Sequence, residues 1–180
     1  MVATKPKQNK QLILLRHAKS NWDDPFLADI DRPLAKRGRK AGKRVSAWLK
    51  KHSIRPDLVL CSPAVRTRET LALIADAIGA EAEIAYDKAL YLAELDGLLA
   101  RIRKADRGAA SVMVIGHNPG MQELAVALLR PGAKKSRAKL SEKFPTAAVA
   151  CFDIPTAEWT KLQPGEARLT EFVRPADLGD

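Results

Sequence analysis

Three short apolar runs, each followed closely by basic or imidazole side chains, constrain the fold of this chain more than any other feature. The runs and the residues that follow them are Leu12–Leu15 with Arg16 and His17, Leu58–Cys61 with Arg66, and Val112–Ile115 with His117. Continuous apolar runs of this length are typical of strands buried on both faces of a parallel sheet. Ligands of open α/β sheets bind outside the carboxyl ends of the strands, so the sequence predicts that these polar side chains lie at a binding site.

The order of the remaining segments predicts an α/β, three-layer sandwich, with a mostly parallel central sheet flanked by helices. Ser62-Pro63 and Asn118-Pro119 each match an N-cap followed by proline at the first helical position. Residues 131–143 are interpreted as a basic, irregular stretch. The predicted helices cover Gly38 to His52, Ser62 to Ile78, Leu92 to Lys104 and Met121–Leu129, and the further strands Ala82–Tyr86, Ala147–Ile154 and Arg168–Val173.

The length of 180 residues allows one well-buried domain, which we place at residues 11–175, with residues 1–10 as a flexible tail. The first ten residues are polar and basic, and the apolar run after them spans four residues, too few for a signal peptide or a membrane span. We therefore expect a cytoplasmic protein with no membrane contact. Cys61 and Cys151 are expected to be buried free thiols of a reducing compartment.

The formal net charge of +10 favours anionic partners. Nucleic acid is a weaker candidate than phosphate, because 5% of the residues are aromatic and no stacking or groove-reading motif is present. The basic residues of the 131–143 segment leave two interpretations open: a solvated loop, or a rim that attracts an acidic phosphoprotein. The sequence carries no signal for an oligomeric state.

The side chains at the strand ends have the chemistry of a phosphoryl-transfer site. Arg16 and Arg66 each present a planar fork of donors to phosphate oxygens. Of the two imidazoles, His17 and His117, one can attack phosphorus while the other, if protonated, donates to a non-bridging oxygen. Asn118, beside the second imidazole, is a further candidate for phosphate binding. This chemistry requires no cofactor, and no cluster of side chains suggests a metal site.

The ordered set of motifs resembles the histidine phosphatase superfamily, which is phosphoglycerate mutase-like in fold. The early Arg-His-Ala and the compact length are similar to its SixA-type phosphohistidine phosphatase branch. The resemblance implies that His17 accepts the phosphoryl group, that Arg16 and Arg66 bind it, and that His117 stabilises the transition state. It rests on Arg16-His17-Ala18, Asp31-Arg32-Pro33-Leu34, Ser62-Pro63-Ala64-Val65-Arg66 and Gly116-His117-Asn118-Pro119-Gly120.

One departure from the larger members of this superfamily bears on the substrate. Those enzymes place a carboxylic general acid after the third strand, whereas this chain offers only three candidates: Glu94, Asp23 and Asp24. An alkoxide leaves poorly without a proton, but the imidazole of phosphohistidine can already be protonated. The expected function is therefore a metal-independent phosphatase that acts on phosphohistidine in proteins.

Three alternatives remain at this stage. Within the same chemistry, the chain would be a small phosphomonoesterase acting on a phosphorylated metabolite. From another class, it would be a basic protein that binds nucleic acid or a phosphorylated ligand without catalysis, which would also explain the net charge. A phospho-binding scaffold that has lost its activity is the third, although the intact set of Arg16, His17, Arg66 and His117 argues against it.

Overall fold

The computed structural model describes residues 9–179 and is built around a six-stranded sheet. The strand order is β3-β2-β4-β1-β5-β6; the first four strands are parallel to one another, and β5 and β6 are antiparallel to their neighbours. The predicted mostly parallel sheet is confirmed. The strands are β1 Lys10–Arg16, β2 Leu58–Cys61, β3 Glu83–Tyr86, β4 Ser111–Gly116, β5 Val149–Ile154 and β6 Arg168–Val173.

Helices cover both faces of the sheet and complete the three layers. The helices are α1 Lys36–Lys51, α2 Val65–Ile78, α3 Leu95–Ile102, α4 Gly120–Leu128 and α5 Lys134–Glu142. Side chains alternate between the faces of β1: Leu12 and Leu14 pack with α3, α4 and α5, and Ile13 and Leu15 pack with α1 and α2. All four β1 side chains are almost completely buried, and each contributes roughly 1.5–3 kcal/mol to folding.

The carboxyl ends of β1, β2 and β4 lie together at one edge of the sheet. Arg16 is paired with Gly116, and Cys61 with Ile115, so the segments that follow the three strands emerge at the same level. The chain entering β5 closes this edge, because the backbone N–H of Ala147 donates to the carbonyls of Arg16 and His17 at 3.0 Å. The sheet thus places the predicted motifs side by side.

The segment between β1 and α1 is held tightly against the start of α1. A Cβ atom at Gly38 would lie 2.1 Å from the carbonyl oxygen of Lys19, so glycine is needed for this close approach. The backbone N–H of Ala35 also donates to that carbonyl, at 2.9 Å. A short 3₁₀ helix, Asp29–Asp31, occupies the middle of this segment, and a second one, Lys88–Leu90, follows β3.

Three sequence predictions are corrected by the structure. Helix α2 begins at Val65 without a side-chain cap, and α4 begins at Gly120 after a cis Asn118–Pro119 bond, so Ser62 and Asn118 are not the N-caps. The 131–143 segment is not irregular, because residues 134–142 form α5. Leu140 is the one buried side chain of α5, so the apolar periodicity that would have revealed the helix is missing.

The described part of the chain begins one residue before β1. Most of the predicted tail, residues 1–8, lies outside the described residues, while Lys10 belongs to β1 and its ammonium donates to the carbonyls of Arg107 and Ala109. The domain bounds 11–175 stay a prediction.

Cys61 and Cys151 are buried and free, as expected. Among residues 9–179, no helix is long and apolar enough to cross a membrane.

Candidate active site

His17 follows directly from β1 and is held by the neighbouring strand. Its backbone N–H donates to the carbonyl of Gly116 at 3.1 Å, and its side chain is 8% exposed. The ring nitrogen Nδ1 lies 2.8 Å from the carbonyl oxygen of Ala18, which can only accept, so Nδ1 carries the proton. The lone pair of a neutral ring is therefore on Nε2, the nitrogen that an attack on phosphorus requires.

His117 follows β4 and faces His17, with the two ring centroids 5.2 Å apart. Nη2 of Arg66 lies 3.3 Å from its Nδ1, and a guanidinium can only donate, so this nitrogen accepts. Nε2 then carries the ring proton and donates to Oγ of Ser62 at 2.7 Å. The two histidines thus adopt opposite tautomers: one with a free lone pair on Nε2, the other with a proton there.

Burial lowers the pKa of both imidazoles. The pKa of His17 falls to about 4, through burial first and then through repulsion from the guanidinium groups of Arg66, Arg16 and Arg32, although its bond to Ala18 opposes the shift. The pKa of His117 falls to about 3, again through burial first and then through the charges of His17 and Arg66. Both rings are neutral at pH 7, and a bound dianion would favour protonation of either ring.

Three arginines bring donors to the same place. Nη1 of Arg16 donates to the carbonyl of Phe144 at 2.8 Å, and Arg66 is 2% exposed. Each of Arg16, Arg32 and Arg66 has a buried guanidinium N–H without a hydrogen-bond partner among the described residues. Buried unpaired donors are costly, and three positive charges around two neutral rings are a suitable environment for a phosphate dianion. Arg16, His17, Arg66 and His117 form what we call the pocket floor.

A carboxylate that the sequence analysis did not select, Asp29, lies above the pocket floor. Its Oδ2 accepts from Nη2 of Arg66 at 2.9 Å and from the hydroxyl of Tyr91 at 2.5 Å, and its Oδ1 accepts from Arg32. The exposed indole of Trp22 covers the guanidinium of Arg32, whose Cζ lies 3.3 Å from the ring centroid. We call Trp22, Asp29, Arg32 and Tyr91 the rim.

The carboxylate of Asp29 is held in its ionised form. Partial burial would raise its pKa, but hydrogen bonds from Tyr91, Arg32 and Arg66 outweigh that effect and hold the pKa well below the usual range. Burial and the hydrogen bond to the Asp29 carboxylate raise the pKa of the Tyr91 phenol, although the charge of Arg66 opposes this shift. The ring of Tyr91 meets His117 edge-on, with centroids 5.4 Å apart, so the rim is packed directly on the pocket floor.

The structure brings together only part of the predicted set. The four residues of the pocket floor converge, and Asn118 lies beside them, where its Nδ2 donates at 3.1 Å to the same Phe144 carbonyl that Arg16 contacts. The three acid candidates are exposed, and no hydrogen bond or ion pair joins them to the pocket floor within residues 9–179. The acid role of Glu94, Asp23 and Asp24 therefore stays a prediction. No group of three or more potential metal ligands occurs in that range either.

Comparison with known proteins identifies this arrangement. The family model of the histidine phosphatase superfamily (branch 1) matches residues 12–96. Phosphohistidine phosphatase SixA of Escherichia coli is 31% identical over 124 residues, covering 68% of this chain and 75% of that protein. The chain belongs to the histidine phosphatase superfamily. The family predicted from the sequence, and with it the class of enzyme, is confirmed.

Other relatives match over nearly the whole chain. An uncharacterized protein of Mycobacterium tuberculosis is 34% identical over 163 residues, covering 89% of this chain and 99% of its own. The crystal structure of a SixA protein from Agrobacterium tumefaciens, assigned as a phosphohistidine phosphatase, superposes with a TM-score of 0.78 at 30% identity, covering 96% of this chain and all of that one. The predicted fold class is confirmed by this likeness.

Proposed function

We propose that this protein is a metal-independent phosphatase that removes phosphoryl groups from histidine side chains of proteins, through a phosphohistidine intermediate on His17. The observation that carries the proposal is the pairing of a neutral His17, whose Nε2 bears the free lone pair, with three arginines that have unpaired buried donors. A nucleophile and an anion-binding site thus coincide. The likeness to SixA proteins supports the choice of substrate.

The reaction follows in two displacements. The phosphoryl oxygens bind Arg16, Arg32 and Arg66 in place of the missing hydrogen-bond partners. Nε2 of His17 then forms a bond to phosphorus while the bond from phosphorus to the leaving group breaks, and its electron pair stays on the leaving atom. In the second step a water molecule attacks phosphorus, the bond to His17 breaks, and inorganic phosphate is released with the nitrogen lone pair restored.

His117 acts on the transferring group from the other side of the pocket floor. Its Nε2 proton, which is donated to Ser62 in this structure, can instead be donated to a non-bridging oxygen. Charge on the equatorial oxygens spreads in the transition state, so donors aimed at them lower the barrier. Binding of the dianion also raises the pKa of His117 and strengthens this donation.

The rim favours a phosphoryl group carried by a large partner. The side chain of Trp22 is 67% exposed, and Leu92, next to Tyr91, is 51% exposed. A site for a small metabolite normally encloses most of its ligand. An open, partly apolar rim around a buried anion pocket suits a phosphorylated side chain presented on a protein surface.

A small phosphomonoesterase is the second candidate, and one contact favours it. Gly120 packs so closely on the backbone of the Ala93–Glu94 segment that a Cβ there would lie 2.0 Å from the Ala93 carbonyl oxygen. Glu94 therefore stands at the start of α3, next to the loop that carries His117. If Glu94 turns inward with substrate, it supplies the acid that an ester needs. Glu94→Gln would then lower the hydrolysis of alkyl phosphates and leave the turnover of p-nitrophenyl phosphate intact.

The proposal is tested with wild type, His17→Ala and a matched control, His52→Ala, at the far end of α1. Hydrolysis of a phosphohistidine peptide and of an alkyl ester, glycerol 2-phosphate, is measured in EDTA. We expect rapid turnover of the peptide, slow turnover of the ester, no activity in His17→Ala and unchanged activity in the control. Trapped label on wild type should be acid-labile and alkali-stable, as expected of a phosphorylated imidazole. Efficient ester turnover or activity without His17 would contradict the proposal.

A further inference from the structure

Asp29 holds an unusual position for a carboxylate in a site that binds an anion. It contacts Arg66 twice: the backbone carbonyl accepts from Nη1 at 2.5 Å and the side chain accepts from Nη2 at 2.9 Å. A negative charge beside the arginine that binds phosphate weakens the attraction for phosphate. A carboxylate at this position therefore needs a second role to explain it. Holding Arg66 in place is one such role, but the backbone carbonyl already does part of that.

The exposure of the groups indicates which part of the substrate Asp29 meets. The side chain of Arg66 is 3% exposed and that of Asp29 is 44% exposed. Asp29 therefore lies between the buried arginine and solvent, where a phosphorylated side chain has to enter. With phosphorus on the pocket floor, the group still attached to it passes the rim and its carboxylate.

We infer that Asp29 binds the leaving histidine of the substrate: its Oδ2 accepts a hydrogen bond from the ring N–H opposite the phosphorylated nitrogen, in place of the one from the Tyr91 hydroxyl, and the carboxylate holds that ring in its protonated, cationic form. The inference deepens the proposed function and rests on it. Asp29 is then a specificity-determining residue for P–N substrates.

The electron balance explains why this contact accelerates the reaction. In a doubly substituted, cationic phosphoimidazole one nitrogen bears phosphorus and the other a proton. When the P–N bond breaks, its electron pair stays on nitrogen and neutralises the ring, which leaves as neutral imidazole with its one N–H. No proton has to come from the enzyme. An unprotonated phosphoimidazole would have to leave as imidazolate, a much poorer leaving group.

The charges around Asp29 make such a contact necessary. A cationic leaving group would stand near Arg66 from α2 and Arg32 from the segment before α1, and His117 at the end of β4 adds a positive charge when protonated. The phenol of Tyr91 is the remaining titratable group in contact, and it stays neutral. The carboxylate of Asp29 offsets this repulsion, because it carries the negative charge next to the leaving ring. Its depressed pKa keeps it ionised and prevents it from donating a proton to an alkoxide.

The test compares wild type with Asp29→Asn and with Asp31→Asn, a control two residues away that removes the same charge from an exposed side chain. For the phosphohistidine peptide we expect kcat/KM of Asp29→Asn to fall roughly tenfold or more, since one charge-assisted hydrogen bond is lost. The alkaline limb of its pH profile should move to lower pH, because the substrate imidazole loses its proton more readily. Turnover of p-nitrophenyl phosphate, whose leaving group needs no proton, should fall by a clearly smaller factor than turnover of the peptide.

Vanadate affinity separates this role from simple support of Arg66. Under the inference, Asp29→Asn binds vanadate as tightly as wild type or more tightly, which also shows that the variant is folded. An equal loss on both substrates together with weaker vanadate binding would show that Asp29 only positions Arg66, and would overturn the inference while wild-type activity on phosphohistidine stands. If wild type itself does not hydrolyse the phosphohistidine peptide, both the proposed function and the inference fail.

Discussion

The pocket floor and the rim are built by two different parts of the fold. The floor residues stand at the ends of parallel strands: Arg16 ends β1, His17 and His117 directly follow β1 and β4, and Arg66 lies in the first turn of α2 after β2. Arg16 is partly buried and the other three are buried. The rim residues come from the two segments that follow β1 and β3, and Trp22 and Asp29 are exposed. The floor holds two guanidinium groups and two neutral imidazoles, whereas the rim adds a carboxylate, an indole, a phenol and a third guanidinium, that of Arg32. We infer that the floor performs phosphoryl transfer and that the rim selects what the phosphoryl group is attached to.

The largest effect should come from removing the nucleophile from the floor. In His17→Asn the amide cannot form the covalent intermediate, so we expect kcat to fall by roughly 10⁴-fold or more on every substrate. Vanadate binding should persist, because the arginines remain. Pre-steady-state and steady-state hydrolysis of the phosphohistidine peptide would measure the loss. Residual turnover within about 100-fold of wild type would place the nucleophile elsewhere.

Substitution of Arg66 by lysine tests whether the floor needs geometry as well as charge. Lysine keeps the positive charge but cannot contact the phosphoryl group, Asp29 and His117 as a fork does. We expect kcat/KM to fall by about 10²- to 10³-fold on P–N and P–O substrates alike. Arg68→Lys, two residues further along α2 on its exposed side, is the matched control and should leave kcat/KM unchanged. A selective loss on one substrate class would assign Arg66 to the rim.

These two substitutions concern residues that the sequence identified, and the reason is local. A buried strand can be recognised from its apolar run, and the residue that follows the run lies at the sheet edge whatever the rest of the chain does. Asp29 has no such signal, since its carboxylate reaches Arg66, 37 positions along the chain, only through the path of a polar loop. Tyr91 has no signal in the sequence either, since its hydroxyl reaches Asp29 only through the paths of two loops. The N-cap prediction for Ser62 and Asn118 is wrong because the two side chains have other partners: Ser62 accepts a hydrogen bond from His117, and Asn118 donates to the carbonyl of Phe144.

The neutral state of the floor should make stability depend on pH. The pKa of His17 is about 4 in the folded chain and 6.5 when exposed, so the unfolded chain takes up the proton first. The free energy of unfolding therefore falls as the pH drops from 6.5 to 4, by about 3 kcal/mol for this residue. Urea unfolding of wild type and His17→Gln at pH 7.5 and 4.5 would measure the difference. Equal pH dependence in both proteins would show that His17 is not desolvated.

The smallest effect is expected at the rim, where Trp22 covers the guanidinium of Arg32. A cation–π contact at an exposed position contributes about 0.5–1 kcal/mol, so Trp22→Ala should raise KM for a phosphorylated protein by roughly two- to fivefold. The value of kcat, and the turnover of p-nitrophenyl phosphate, should change little, because the floor is untouched and Arg32 keeps its ion pair with Asp29. Phe26→Ala removes another exposed aromatic side chain from the same loop and is the matched control. If Trp22→Ala instead lowers kcat strongly on both substrates, the indole is needed to hold Arg32 at the phosphoryl group, and Trp22 does not act on substrate selection alone.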